Sequence, residues 1–530
     1  MKKPQPFAGV KGPTRRKFMT QTAALGAIGA SGGLGLWPGR AKANTPVMGG
    51  HFNVALSGSA TTDTLNPRQA QNEIVYGTMY NIHAYLVDVG PRNELIPEVA
   101  SSWTPDPDTS RWVFELNPDA RFHNGQPVTS EDVIASIAFH TAEESESGVK
   151  GQLEIIEEMT ADGPNRVVMQ LTRRNADFPY LFSAYQLAIL PAAEGGVDWQ
   201  SGIGAGAYVL ESFEPGTGVR LSRNADMWLP DRGFVDTIEI TAVNDPSARV
   251  QALLSGSADI ITKVDFRLAD RINGVPRVKL ISNALRAHYS WPMLTDTAPF
   301  DDNNVRLAMK YAFDREAFIE RILGGFGALG NDNPIAPSHQ FFNTELEQRT
   351  YDPDRARFHL QEAGLDSIKV PLSTSEAAYS GAVDSAVLFA ETARPAGIEV
   401  DITREPSDGY WSEVWGNKPF INSYWGGRPT EDSILSLIYA SQSGWNDTRF
   451  NNVRLDEIIV DAQGEADTDR RRELYWEAQA IIHNEGGALI PAYIQAVDGA
   501  AEKVKHPEEM SGVFELDGMR GLQRWWIDES

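Results

Sequence analysis

The sequence predicts a chain of the α/β (or α+β) class, built as two or three domains. Three observations carry this expectation. At 530 residues the chain exceeds what one hydrophobic core supports. Its 42% apolar and 9% aromatic content suits packed globular domains and not disorder. Helical and strand-like patterns interleave along its length, with no internal repeat and no low-complexity stretch after residue 43.

The first element is an address. "TRRKFMTQTAALGAIGASGGLGLWPGRAKA" has a basic start, an apolar middle and a small-x-small end at Ala41-Lys42-Ala43. The apolar part, Ala23 to Trp37, is rich in Gly and Ala and shorter than the ~20 residues of a membrane span. It resembles a twin-arginine signal, with Arg15 and Arg16 as the pair, although Thr14 stands where Ser is more usual. A plain Sec signal is the alternative. Either reading places cleavage after Ala43 and the product in the periplasm.

In "RWVFELNPDARFHNGQPVTSEDVIASIAFH", Trp112, Phe114 and Leu116 alternate as in a half-buried strand. Asn124-Gly125 makes a tight turn. Thr129 caps a helix with Glu131 and Asp132 in its first turn, and Val133, Ile134, Ile137 and Ala138 form its apolar stripe. "FVDTIEITAV" and "IEVDITREP" read as strands. "NNVRLAMKYAFDREAFIERILGGFG" reads as two short helices joined at Asp314. "DPDRARFHLQEAG" puts Pro353 at a first helical position and Gly364 just past the end. "RRELYWEAQAIIHNEGG" sets Leu474, Ala478, Ile481 and Ile482 on one helix face.

Charge and composition exclude several chemistries. Asp and Glu number 72 against 47 Lys and Arg. The first 43 residues hold eight basic and no acidic residues, so without them the formal charge falls to −33. Nucleic acid or an anionic membrane needs a basic face and is disfavoured as a partner. Cysteine is absent, which removes thiolate metal sites, iron–sulfur clusters, thiol nucleophiles and a lipid-anchoring cysteine. The nine histidines show no HxH, HxxxH or HExxH spacing, so no metal is expected. "GFGALG" follows a helical pattern and not a strand, so it reads as a loop and not a dinucleotide site. No nucleophile–base arrangement and no Walker motif stands out, and neither a cofactor nor catalysis is expected.

Five motifs in order carry a family resemblance. "ARFHNGQPVTSEDV", "GIGAGAYVLESFEPG", "LLSGSADI", "NNVRLAMKYAFDRE" and "ARFHLQEAG" are similar to signatures of the large bacterial extracellular solute-binding proteins of peptide, nickel and opine ABC importers. Each motif alone is weak, but their shared order covers nearly all of the chain after the signal. The resemblance implies an α/β, two-lobed periplasmic binding protein-like fold with an extra subdomain inserted in lobe I. It places lobe I at 44–290 with the insert at about 77–200, lobe II at 291–495, and a return to lobe I at 496–530. It implies a ligand enclosed between lobes by hinge motion, and a permease and ATPase as partners. A soluble monomer is expected.

The same resemblance directs attention to "SYWGGRPTEDSILSLIY". In peptide-binding relatives a tryptophan lines the cleft, and an aspartate three residues on holds the peptide amine. Trp425 matches the tryptophan, but Arg428 takes the aspartate's place. An arginine repels an ammonium and grips a carboxylate with a two-pronged fork. The other reading of Arg428 is a structural ion pair with Glu431 or Asp432. Thr430 looks like the cap of a helix whose Ile434, Leu437 and Ile438 face inward, with free N–H groups aimed at the same place. Asp432 can offset that positive end or hold an ammonium. Trp445 is a candidate for stacking on a ligand, and Asp447 for accepting from an amine. Thr62, in the loop 59–67, and Tyr76 fall where relatives place lobe I contacts. Tyr289 and Trp291 sit near a hinge crossing. The function expected is import of a short peptide or an opine-like, amino-acid-derived anion. The alternatives are a periplasmic hydrolase exported folded and a ligand-presenting partner of a chemoreceptor.

Overall fold

The computed structural model describes residues 45–70 and 72–529. The signal segment, with Arg15, Arg16 and the expected cleavage after Ala43, lies outside them. Along the strand His51–Leu56, Phe52, Val54 and Leu56 share one face and are buried, as the two-residue repeat of a pleated strand requires. The strand lies parallel to Thr237–Ala242 and to Ile260–Ile261 inside a mixed sheet. Its apolar side chains pack with Tyr85, Tyr208, Leu522 and Trp525 in the core of the first lobe.

A second sheet with its own core stands between these strands in sequence. It runs Ala100–Pro105, Arg111–Leu116, Arg166–Leu171, Ile156–Ala161, all antiparallel. Trp112, Phe114 and Leu116 alternate inward as predicted and meet Phe178 and Phe182. Helix Ser130–Thr141 covers the sheet. The Asp132 carboxylate accepts the Thr129 N–H at 2.8 Å to close its capping box. Its buried stripe differs from expectation. Ala138 is exposed, and Ser136 and His140 are buried in the positions nearby. The Ser136 hydroxyl accepts the N–H of Leu190 at 2.9 Å, and His140 Nδ1 meets the Ser147 hydroxyl at 2.6 Å, so both polar groups are satisfied inside.

Two of the signature motifs join this subdomain to the first lobe. The N–H of Gly204 donates to His123 Nδ1 at 3.2 Å, and His123 Nε2 stands 3.1 Å from the carbonyl oxygen of Gly206. A Cβ on Gly204 would lie 1.8 Å from the Ile82 carbonyl oxygen, so only glycine permits that approach.

The lobes are joined by two long strands. Val278–Pro292 runs antiparallel to Ala492–Ala501, from Val278 opposite Ala501 to His288 opposite Tyr493. At one end Ile281 and Ala500 pack into the first core, and at the other Tyr289, Trp291 and Ala492 pack into another. The register shifts between Ala284 and His288, at the passage between the two. Tyr289 and Trp291 pack there, against Phe318 and Phe313.

The second lobe holds two cores. One gathers Trp291, Phe313, Phe389 and Phe420 around the parallel strands Ile368–Thr374 and Ile398–Arg404. Helices Asn303–Tyr311 and Arg315–Arg321 are capped by Asp302 and Asp314, and helix Pro353–Glu362 by Asp352. The other core is built by Glu431–Ile438, Val453–Gly464 and Thr468–Glu485. In Glu431–Ile438 the buried apolar residues are Ile434, Leu435 and Ile438. Leu437, expected inside, faces a cavity instead. Likewise Ile481 is only partly buried, while Leu474, Ala478 and Ile482 are buried. Among the described residues no helix is long and apolar enough to cross a membrane.

Candidate functional site

Trp425 ends the short strand Ser423–Trp425, which pairs with the lobe-crossing strand at His288. The chain then turns through Gly426 and Gly427. A Cβ on Gly427 would lie 2.8 Å from the carbonyl oxygen of Val513, so this loop of the second lobe rests on the C-terminal segment of the first. Arg428 follows. Its Nη1 donates to the carbonyl oxygens of Gly427 at 3.0 Å and Gly426 at 3.4 Å. Among the described residues it forms no ion pair. The pairing with Glu431 or Asp432 considered from the sequence is therefore not made. Partial burial holds the Arg428 guanidinium below its usual pKa.

Both acids have other partners. Glu431 Oε1 accepts the N–H of Phe341 at 2.5 Å. Asp432 accepts from the Ser436 hydroxyl at 2.8 Å and from Gln463 Nε2 at 3.3 Å. Burial pushes the Glu431 carboxyl up to about 7 and, with the nearby Asp177, pushes Asp432 up to about 6. Thr430 caps the helix as predicted. Its hydroxyl takes the N–H of Ser433 at 3.2 Å, so this donor, expected to be free for a ligand, is used internally.

Arg428, Asp432 and Trp445 line one cavity of about 660 Å³. Its opposite wall comes from the inserted subdomain, through Arg173, Asp177 and Tyr180. The two walls are tied together. Arg471 Nη2 and Asp177 Oδ1 stand 2.8 Å apart in a buried ion pair, and the N–H of Ala176 donates to the Gln463 carbonyl oxygen at 2.7 Å.

Trp425 and Asp447 lie behind this wall. Asp447 Oδ2 accepts from Trp425 Nε1 at 3.1 Å and from Trp415 Nε1 at 3.4 Å. Trp445 packs at 5.5 Å from Trp415 and 6.2 Å from Trp425, with 56% of its surface exposed. Burial pushes the Asp447 carboxyl up to about 7 against the pull of the two indole donors. The arrangement supplies one aromatic face to the cavity, braced by two further indoles and a carboxyl.

Tyr76 and Thr62 belong to the first lobe and do not line this cavity. Tyr76, on helix Glu73–Ile82, stacks on Phe514 at 5.3 Å and tilts against Tyr185 at 5.2 Å. Burial pushes its phenol well up. Thr62 is exposed on a turn. Sequence reasoning missed Asp177 and Tyr180, which carry no motif and reach the cavity only through the packing of the inserted subdomain on the second lobe, and Trp415, which braces Trp445 from behind. Among the described residues no group of three or more His, Cys, Asp or Glu is placed to hold a metal ion.

The family model for bacterial extracellular solute-binding proteins, family 5 Middle, matches residues 94–447. Heme-binding protein A of Haemophilus influenzae is 23% identical over 78% of this chain and 82% of its own length. The dipeptide-binding protein of Escherichia coli is 23% identical over 78% of this chain and 83% of its own. Among solved structures, the periplasmic binding protein AgaA of A. tumefaciens R10, in complex with agropinic acid, superposes with a TM-score of 0.71 at 20% identity, over 91% of this chain and 99% of that one. With two lobes, an inserted subdomain, two crossing strands and a family match over about two thirds of its length, this chain belongs to the bacterial extracellular solute-binding proteins of family 5.

Proposed function

We propose that this protein is the periplasmic substrate-binding component of an ABC importer and captures a short peptide or opine-like, amino-acid-derived solute through its carboxylate. One observation carries the ligand reading: Arg428 lines the cleft, and among the described residues its guanidinium bonds only to the carbonyl oxygens of its own loop. A half-buried guanidinium without a carboxylate is a ready site for one, and its planar fork suits two-point recognition. The dipeptide-binding relative and the structural neighbour holding agropinic acid support a ligand of this class. Trp445 supplies a stacking face, and Asp432 lines the same cavity. The protein binds its ligand without turning it over, works as a monomer and hands it to a permease driven by an ATPase. The leader at residues 1–43 sends it to the periplasm.

Native mass spectrometry of protein taken from its own periplasm identifies the ligand. Calorimetry then measures its affinity, and chromatography of the recovered ligand reads turnover. Scattering at saturating ligand should show a smaller radius of gyration than the free protein, because closure adds contacts to both lobes. A chemically altered ligand, or a profile unchanged by saturation, refutes the reading.

A further inference from the structure

Two arginines reach the cavity from opposite walls, Arg428 from the second lobe and Arg173 from the inserted subdomain. Arg173 follows the strand Arg166–Leu171, and the backbone is pinned on both sides of it. The Thr172 N–H donates to the Ile155 carbonyl oxygen at 2.8 Å, the Asn175 N–H to that of Thr109 at 3.1 Å, and the Ala176 N–H to that of Gln463 at 2.7 Å. The neighbouring Arg174 is taken up in packing. A Cβ on Gly464, the last residue of helix Val453–Gly464, would lie 2.9 Å from Arg174 Nε, so that guanidinium rests against the negative end of the helix. Arg173 has no such use. It is exposed, it lines the cavity, and among the described residues it forms no hydrogen bond and no ion pair.

The acids around the cavity are engaged elsewhere. Of the side chains that line it, Arg173, Asp177, Arg428 and Asp432 carry charge. Asp177 is paired with Arg471 at 2.8 Å. Asp432 accepts from the Ser436 hydroxyl and from Gln463 Nε2. Glu431, buried behind the wall, accepts the Phe341 N–H and faces the buried Arg286. Neither lining arginine has a carboxylate, although both lining carboxylates have partners. A guanidinium keeps its charge at any physiological pH, and its fork is fully used only by a carboxylate or a similar planar anion.

We propose that Arg173 is a second carboxylate anchor, so that the cleft selects solutes bearing two carboxylates, one gripped by Arg428 and the other by Arg173. The inference rests on the reading of Arg428 as a carboxylate grip and narrows the solute to an acidic dipeptide or an N-carboxyalkyl amino acid. Both classes set two carboxylates on a short backbone, and a cavity of about 660 Å³ holds either. Both also carry one amine, for which Asp432 in the same cavity is an acceptor. A solute held at its two ends joins the inserted subdomain to the second lobe. It therefore makes both contacts only when the walls stand together, which is the differential contact that closure needs.

The test uses two matched pairs of probes: the dipeptide Ala-Glu with Ala-Gln, and N-carboxymethylalanine with its monoamide. The members of a pair differ by one charge and hardly in shape. Each is titrated by calorimetry into the wild type, Arg173→Gln and Arg428→Gln, and melting curves show that the variants fold. The wild type should bind the dicarboxylate of at least one pair about tenfold more tightly than its amide, the usual worth of one charge-assisted contact. The pair that binds tells the two solute classes apart. Arg173→Gln should bind acid and amide alike, whereas Arg428→Gln should weaken both. Equal binding of acid and amide by the wild type in both pairs overturns the proposal, and this arm needs no variant. A preference for the acid that survives in Arg173→Gln also overturns it. Loss of the preference in Arg173→Gln, with affinity unchanged in Arg428→Gln, would instead sink the carboxylate role of Arg428 and leave Arg173 standing. Failure of all four probes to bind at millimolar concentration overturns both.

Discussion

Replacing Arg428 by alanine separates ligand recognition from scaffolding. Among the described residues of the free protein the side chain bonds only to the Gly426 and Gly427 carbonyl oxygens, at 3.4 and 3.0 Å. Losing such local bonds costs about 1 kcal/mol of stability, because water takes over the carbonyls. In the closed complex the loss is different in kind. Removing one partner of a buried charged pair costs roughly 2–5 kcal/mol, much of it from the carboxylate left unpaired. At about 1.4 kcal/mol per tenfold this is a loss of at least ~25-fold in affinity. Arg428→Lys should recover part of it, since a point charge cannot reproduce the fork. The assay is calorimetry with the ligand identified by mass spectrometry, beside the melting curve of each free variant. Affinity that survives in Arg428→Ala while the melting temperature falls sharply would refute the reasoning. Arg428 would then be a brace for its loop.

Three further outcomes are expected. Gly427→Ala places a Cβ at 2.8 Å from the Val513 carbonyl oxygen, so it should hold the lobes apart, weakening ligand binding and reducing the ligand-induced change in radius of gyration, as calorimetry and scattering will read. Four buried carboxyls make stability fall with rising pH, against the opposite slope of His83, His140, His288, His339 and His483, which burial holds neutral. Asp432, Glu431, Asp447 and Asp498 are raised by burial to about 6, 7, 7 and 8, so the folded state binds more protons than the unfolded one between about pH 4 and those values, and stability falls as pH rises through them. The melting temperature of Asp447→Asn, taken relative to the wild type, should therefore rise from pH 5 to pH 8, and an identical pH dependence in the two proteins would contradict it. Changing Arg15 and Arg16 together to Lys should abolish export, and N-terminal sequencing of the exported wild type should begin at Asn44.

Much of the fold was readable along the chain because its determinants are local. A side-chain oxygen at Thr129, Asp314, Asp352 or Thr430 announces a helix start within three residues, and alternation at Trp112, Phe114 and Leu116 announces a strand. These rules act over one turn or one pleat, and the structure honours them. The choice among apolar neighbours is less local. Leu435 and Leu437 both sit near the inner face of one helix, and only the arrival of the inserted subdomain makes Leu437 a cavity wall. Charge pairing is less local still. Arg428, Glu431 and Asp432 lie within five residues, yet the acids turn to Phe341, Ser436 and Gln463 and leave the arginine without them. Asp177 meets Arg471, and Lys263 meets both Glu73 and Glu515, across hundreds of residues of chain. A carboxylate goes to the donors that are desolvated with it, and those are set by how lobes and subdomain pack, which no spacing along the sequence encodes.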